Sequence, residues 1–199
     1  MKVLIFGASG TLGRAVSHEL AARHEVIRVG RHSGDLQADM TQLDSVHTLL
    51  QHVDPVDAII ATAGSVHFGP LTEMTPAQLA IGLQDKLMGQ VNLVLAGQQV
   101  LNDGGSITLT SGILSQDPIR YGASASMVNG ALEAFARSAA LELPRGIRIN
   151  VVSPTVLQES LDSYAPYFRG FEAVSAHRVA LAYSKSVEGA QTGQIYTVF

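Results

Sequence analysis

"VLIFGASGTLGRAV", Val3 to Val16, sets an apolar run against a glycine-rich turn and then a segment with helical spacing. Glycine stands at 7, 10 and 13. A strand that turns straight into a helix through small residues leaves the first-turn amides and the positive end of the helix dipole facing whatever lies over the turn. A pyrophosphate fits that place. Glycine also serves tight turns and helix–strand packing. The triplet takes its meaning from position: it follows the first strand of an α/β pattern, at the carboxyl edge where such sheets bind ligands. The predicted dinucleotide contacts in this turn are Gly7, Ser9, Gly10, Thr11, Leu12 and Gly13.

Working outward, short β-branched runs near residues 2–6, 25–29, 36–39, 58–61, 106–110, 148–152 and 194–198 alternate with segments of helical period at 11–23, 42–51, 76–101, 123–143 and 174–186. That alternation predicts one α/β domain over residues 1–199, a Rossmann-like doubly wound parallel sheet with helices on both faces. The span 76–101 reads as one long helix or as two. Between the second and third runs lies only "GRHSGD", too short for the crossover helix that parallel strands usually need. Residues 36–39 are therefore a short strand or an extended loop. One flank of the sheet is left less covered, to be shielded by a partner subunit or a rearranged loop.

Composition excludes several classes. A chain of 199 residues, 46% hydrophobic and 15% charged, suits one core. A net charge of -4 without a basic run gives no footprint for nucleic acid. Cysteine is absent, which removes disulfides and thiolate nucleophiles. The first residues lack a signal-peptide layout and no apolar run reaches membrane-spanning length, so a cytoplasmic protein without a membrane partner is expected. The histidines lack metal-ligand spacing with nearby carboxylates, and no metal is predicted.

The second strand ends in "VGRHS". An acidic residue there would hydrogen-bond a ribose 2′-hydroxyl, whereas a cation pairs with a 2′-phosphate. Arg31 supplies the cation, with His32 and Ser33 as further donors, and NADP(H) is favoured over NAD(H). The alternative is that Arg31 is a solvated surface charge. Asp39 is a candidate for the adenine.

The glycine turn, "DAIIATAG" ending in Ala63 and Gly64, "GSITLTSG" with Ser111, "YGASA" with Tyr121 and "GIRINVVSPTV" with Pro154 occur in one order. In that order they resemble the short-chain dehydrogenase/reductase family, across essentially the whole chain. The resemblance implies a nicotinamide cofactor, hydride transfer to or from a carbonyl, and homodimers or homotetramers that pair the two long helices. It gives Ser111 a hydrogen bond to the substrate oxygen, Tyr121 the role of general acid or base, and the backbone at Val156 the carboxamide.

The chain departs from the family pattern where chemistry is concentrated. Ser111 and Tyr121 are ten residues apart, fewer than is usual, and Thr155 stands where a glycine is common. Four residues after Tyr121 the family has a lysine; here it is Ala125. A free phenol, with a pKa of about 10, is only about one part in a thousand ionised at pH 7. A cation ~4 Å away is worth on the order of 4 kcal/mol at an effective dielectric of ~20. Lys86, three residues before Gly89, occupies the place where the family usually has an asparagine whose helix holds a water against that lysine, and it is the candidate replacement. His67, in the loop "SVHFGP", is a further candidate to touch substrate.

These residues point to an NADP(H)-dependent oxidoreductase acting on a small carbonyl or alcohol. The alternative they leave open is a catalytically weak or inactive NADP(H)-binding sensor. A structural subunit that keeps the fold without the ligand is disfavoured by the glycines.

Overall fold

Val3 and Ile5 point to one side of the first strand, Leu4 and Phe6 to the other, and all four are buried. A strand with two apolar faces needs cover on both. The computed structural model describes residues 1–199 and supplies that cover. The chain runs β1 (Lys2–Phe6), α1 (Thr11–Ala21), β2 (Glu25–Gly30), β3 (Leu36–Gln37), α2 (Leu43–Leu50), β4 (Val56–Ala61), α3 (Pro76–Gly82), α4 (Gly89–Gly97), β5 (Leu101–Thr110), α5 (Ala123–Ala139), β6 (Arg148–Pro154), α6 (Leu161–Tyr164), α7 (Ala176–Glu188) and β7 (Ile195–Val198). The strands form one parallel seven-stranded sheet in the order β3-β2-β1-β4-β5-β6-β7. This is the doubly wound architecture that the alternation predicts.

On one face Leu4, Phe6, Ile59 and Leu109 pack with Val46 of α2, Leu93 of α4 and Val128 and Leu132 of α5. On the other, Val3, Ile5 and Ile60 meet Leu12 and Val16 of α1 and Val179 and Tyr183 of α7. Each large side chain so buried contributes about 1.5–3 kcal/mol. No helix is long and apolar enough to cross a membrane.

No helix connects β2 to β3, and β3 is only two residues long, pairing Leu36 with Val29 and Gln37 with Gly30. The short connection is closed by charge: the Asp35 carboxylate accepts from the Arg28 amide at 2.9 Å and from its guanidinium at 3.0 Å. The Arg28 hydrogen bonds hold the Asp35 carboxyl below the usual carboxylate range.

The span 76–101 is one helical rod with an anomaly. Between α3 and α4 the residues Leu83–Met88 form a π-helical turn, and the flanking Gly82 and Gly89 keep helical dihedrals, so the rod is not broken into two. Thr75 and Gln78 close its start with a capping box. It ends at Gly97, and Leu101 already belongs to β5. Helix α5 stops at Ala139, short of the predicted 143, and the chain passes through turns at 140–142 before Pro144.

The glycine turn is tight enough to test. A Cβ on Gly13 would lie 2.2 Å from the Gly7 carbonyl oxygen, which is backbone and cannot swing aside. Gly13→Ala is expected to lower stability by about 2–3 kcal/mol, read as a shift of the urea midpoint at unchanged slope.

Candidate active site

Five strand ends converge at the carboxyl edge of the sheet. Gly7 follows β1, Arg31 follows β2, Ala63 and Gly64 follow β4, Ser111 follows β5, and Thr155 follows β6. Two hollows open there. One is lined by Gly7, Ser9, Arg31, Asp39 and Ala63, and the other, of about 240 Å³, by Lys86, Ser111, Ala125, Asn129, Pro154 and Val156; Gly64 lines both. Such a crevice outside the strand ends is where open α/β sheets bind their ligands.

The first hollow fits a dinucleotide. The amides of Thr11, Leu12 and Gly13 belong to the first helical turn, which has no intrahelical partners to offer them. Leu12 sends its side chain into the core, so only its backbone faces the turn. A Cβ on Gly7 would stand 2.6 Å from that of Ala63, so the cradle closes unless this residue is glycine. Arg31 reaches into the hollow but is held there, 3.2 Å from Asp39 and 3.8 Å from Asp85. Burial opposes the Asp39 charge, yet hydrogen bonds from Thr41 and the Arg31 guanidinium outweigh it and keep the carboxyl below its usual range. His32 is exposed and lies off this hollow, and Ser33 borders a neighbouring one with Ser9 and Arg14.

In the second hollow the Lys86 ammonium donates to the Ser111 carbonyl at 3.0 Å and to Asn129 Oδ1 at 2.7 Å. Its stem passes over Gly64, where a Cβ would come within 2.6 Å of Lys86 Cγ. Lys86 and Ala125 thus line the same cleft from facing helices. The residue stays partly exposed along the cleft, but its ammonium is enclosed, and burial pushes it down to about 8 against the opposing pull of the Glu133 charge. At the far wall Thr155 Oγ1 is buried without a hydrogen-bond partner, an orphan that an amide group can satisfy.

Ser111 is buried in the cleft, its hydroxyl donating to Glu133 at 2.8 Å. Tyr121 is elsewhere. It is not on the first turn of α5 but two residues before it, in the left-handed region at φ 66. Its side chain is 43% exposed and makes an edge contact with Tyr167, and it does not line the cleft. Ile113–Ser115 winds into a 3₁₀ turn, and the Tyr121 carbonyl accepts from the Gly69 amide, which holds the backbone at 121 beside the loop after β4. His67 does not border the cleft either, although its neighbours Val66 and Phe68 do.

Asn129, Glu133 and Tyr164 were not singled out from the sequence. The signal for the first two was present: Ala125, Asn129 and Glu133 recur every four residues along the buried face of α5, among Val128, Leu132 and Ala136. Tyr164 comes from the segment after β6, where it and Phe168, stacked edge-on at 6.3 Å, cover the mouth of the cleft.

Comparison with known proteins decides the family. The family model described as "Enoyl-(Acyl carrier protein) reductase", a short-chain dehydrogenase model, matches residues 1–194. The chain belongs to the short-chain dehydrogenase/reductase family. It is 29% identical to the uncharacterized oxidoreductase YmfI of Bacillus subtilis, over 79% of this chain and 75% of that one. It is 28% identical to the L-xylulose reductase of Mesocricetus auratus, over 80% and 73%. Among solved structures, the protein lin1944 of Listeria innocua superposes with a TM-score of 0.98 at 56% identity over the whole of both chains. A small-chain dehydrogenase in complex with NADPH gives 0.89 at 24% identity, covering all of this chain and 96% of that one.

The protein is accordingly an oxidoreductase of a family that uses a nicotinamide cofactor. In its cleft a lysine on the rod meets an asparagine on α5, with Ala125 beside them. The depressed lysine has a sign for stability. Below pH 8 the enclosed ammonium is a cost, and the cost is relieved as pH rises from the folded value of about 8 toward the unfolded value of 10.5. The stability difference between Lys86→Met and wild type should therefore move in favour of wild type between pH 7 and pH 10, by up to about 3 kcal/mol. Parallel urea titrations of the two proteins measure it, and a pH-independent difference contradicts an enclosed ammonium.

Proposed function

We propose that the protein is an NADP(H)-dependent reductase or dehydrogenase of small carbonyl or alcohol substrates, with Lys86 exchanging the proton at the substrate oxygen. The dinucleotide, when bound, supplies or accepts the hydride. The reading is carried by one observation: Lys86 borders the cleft with two of its three donors spent on Ser111 and Asn129, which leaves one for a ligand oxygen. A group that titrates near neutrality suits proton exchange in both directions. Gly7, Ser9, Gly10, Thr11, Leu12 and Gly13 would hold the pyrophosphate. Asp39 would sit at the adenine end, and Ala63, Gly64, Pro154, Thr155 and Val156 at the nicotinamide. The role that the family resemblance gives to Tyr121 passes to Lys86, because Tyr121 stands outside the cleft.

The preference for NADP(H) rests on Arg31, with Ser33 and Arg14 on the neighbouring hollow, and a 2′-phosphate must take the guanidinium from Asp39. NADPH should bind more tightly than NADH by calorimetry at fixed salt, and Arg31→Ala should erase the difference. Equal affinities in the unmodified protein would sink the preference.

Oxidation of NADPH by a panel of small aldehydes and ketones tests the reaction itself. Lys86→Ala should lower turnover ~100-fold or more, while Tyr121→Phe stays within about threefold. Carbonyl reduction should decline as pH rises through about 8, where Lys86 loses its proton, and alcohol oxidation should rise. If Tyr121→Phe is as damaging as Lys86→Ala, the tyrosine keeps the role and this assignment falls. NADPH binding without turnover on any member of the panel supports the sensor instead.

The same reading includes a homodimer or homotetramer. The groove between α4 and α5 is lined by Leu95, Phe135 and Leu143, and Leu141 at its end is 88% exposed. Such a face is best placed against a second copy. Sedimentation showing only monomer at micromolar concentration would contradict it.

A further inference from the structure

Glu133 is a buried ionisable residue to which the proposed reaction gives no task. Only 5% of it is exposed. It lies on α5 two turns beyond Ala125, and its Oε1 accepts from Ser115 at 2.7 Å, Ser111 at 2.8 Å and Ser153 at 3.4 Å. Three hydroxyls on one carboxylate oxygen, from the end of β5, the turn after it and β6, make a site built around a negative charge. Ser111 is gripped from both sides, by Glu133 at its hydroxyl and by Lys86 at its carbonyl.

We propose that Glu133 is a positioning residue for the reaction proposed above: it is the fixed counter-charge of Lys86, and by accepting the Ser111 hydroxyl hydrogen it leaves Lys86 as the group that gives a hydrogen to the substrate oxygen. A serine hydroxyl has one hydrogen, and once that is committed the oxygen can only accept. An alcohol binds with its hydroxyl hydrogen aimed at the neutral Lys86 amine, which takes the proton in the oxidation direction, while Ser111 offers the substrate oxygen no competing donor. A carbonyl, which has no hydrogen to give, accepts from Lys86 alone. The proton that distinguishes the two forms is thereby confined to the path between the substrate oxygen and Lys86.

Other charges around Lys86 do not serve as well. Helices α3 and α4 carry no ionisable residue. On α5 the only other one is Arg137, which is exposed. In its own turn Asp85 is engaged by the Ser65 amide and by Arg31. From α6, Asp162 is exposed and Tyr164 borders the cleft mouth. Glu133 is the enclosed anion, and its charge works against the burial that depresses the lysine.

The chain has three lysines, Lys2, Lys86 and Lys185, so protein labelled with ¹³C-lysine gives three Cε resonances to follow against pH without cofactor or substrate. In wild type the Lys86 resonance should titrate near 8. In Glu133→Gln its midpoint should fall by about one pH unit or more, with Lys2 and Lys185 unmoved. Glu133→Asp, which keeps the charge one methylene further back, should lie between the two. An unmoved Lys86 midpoint in Glu133→Gln overturns the proposal. If that variant does not fold, Glu133→Asp decides alone, a lowered midpoint supporting the proposal and an unchanged one overturning it. The measurement needs no turnover, so its failure leaves hydride transfer standing, and a lack of turnover leaves the coupling to be read.

Discussion

An ammonium taken out of water must find oxygens, and Lys86 finds two, the backbone of Ser111 and the amide of Asn129. Much of the site follows from that requirement. Gly64 lacks a side chain where the lysine's stem passes, and Ala125 is small on the helix opposite. Asn129 presents Oδ1 to the lysine because its Nδ2 donates to the Gly112 carbonyl at 3.2 Å, which fixes the amide's orientation. A cation so held ties together the rod, the end of β5 and α5, three elements remote in sequence. Its position is set by the fold rather than by a loop.

The two hollows are linked by more than Gly64. Asp85, which faces Arg31 in the first hollow, is the residue before Lys86. Adjacent positions in one helical turn thus face the two ends of the cleft, and the turn's rigidity sets their spacing. Asp85 is also the acceptor for the Ser65 amide, so the chain leaving β4 is anchored to the same turn.

What was legible in the sequence depended on whether the cause was local. The glycine turn and the alternation of strands and helices could be read because a tight strand-to-helix passage needs glycine and a doubly covered strand needs a continuous apolar run. The absence of a helix between β2 and β3 was legible from length alone. The departure of Tyr121 from the cleft was not, because it follows from a 3₁₀ turn and a tie to Gly69 that no spacing reveals. The π-helical turn was equally hidden, since its sequence has no proline and ordinary helical composition. Glu133 was not singled out, because the three hydroxyls that converge on it come from elements remote in sequence. Lys86 could be suspected because the family resemblance put a cation near 125; Asn129 had its signal in the four-residue spacing from Ala125, but the spacing does not say that this face meets the lysine.

The π-helical turn has a consequence for how the lysine is aimed. A turn of this kind holds one residue more than a regular one, and each residue in a helix accounts for about 100° of rotation. Removing a single residue between Leu83 and Met88 would restore a regular turn and leave α3 and α4 on the faces they now present, so that the residues re-aimed are those of the turn itself. The aim of Lys86 into the cleft thus belongs to the wide turn that carries it, and not to α3 or α4 on either side.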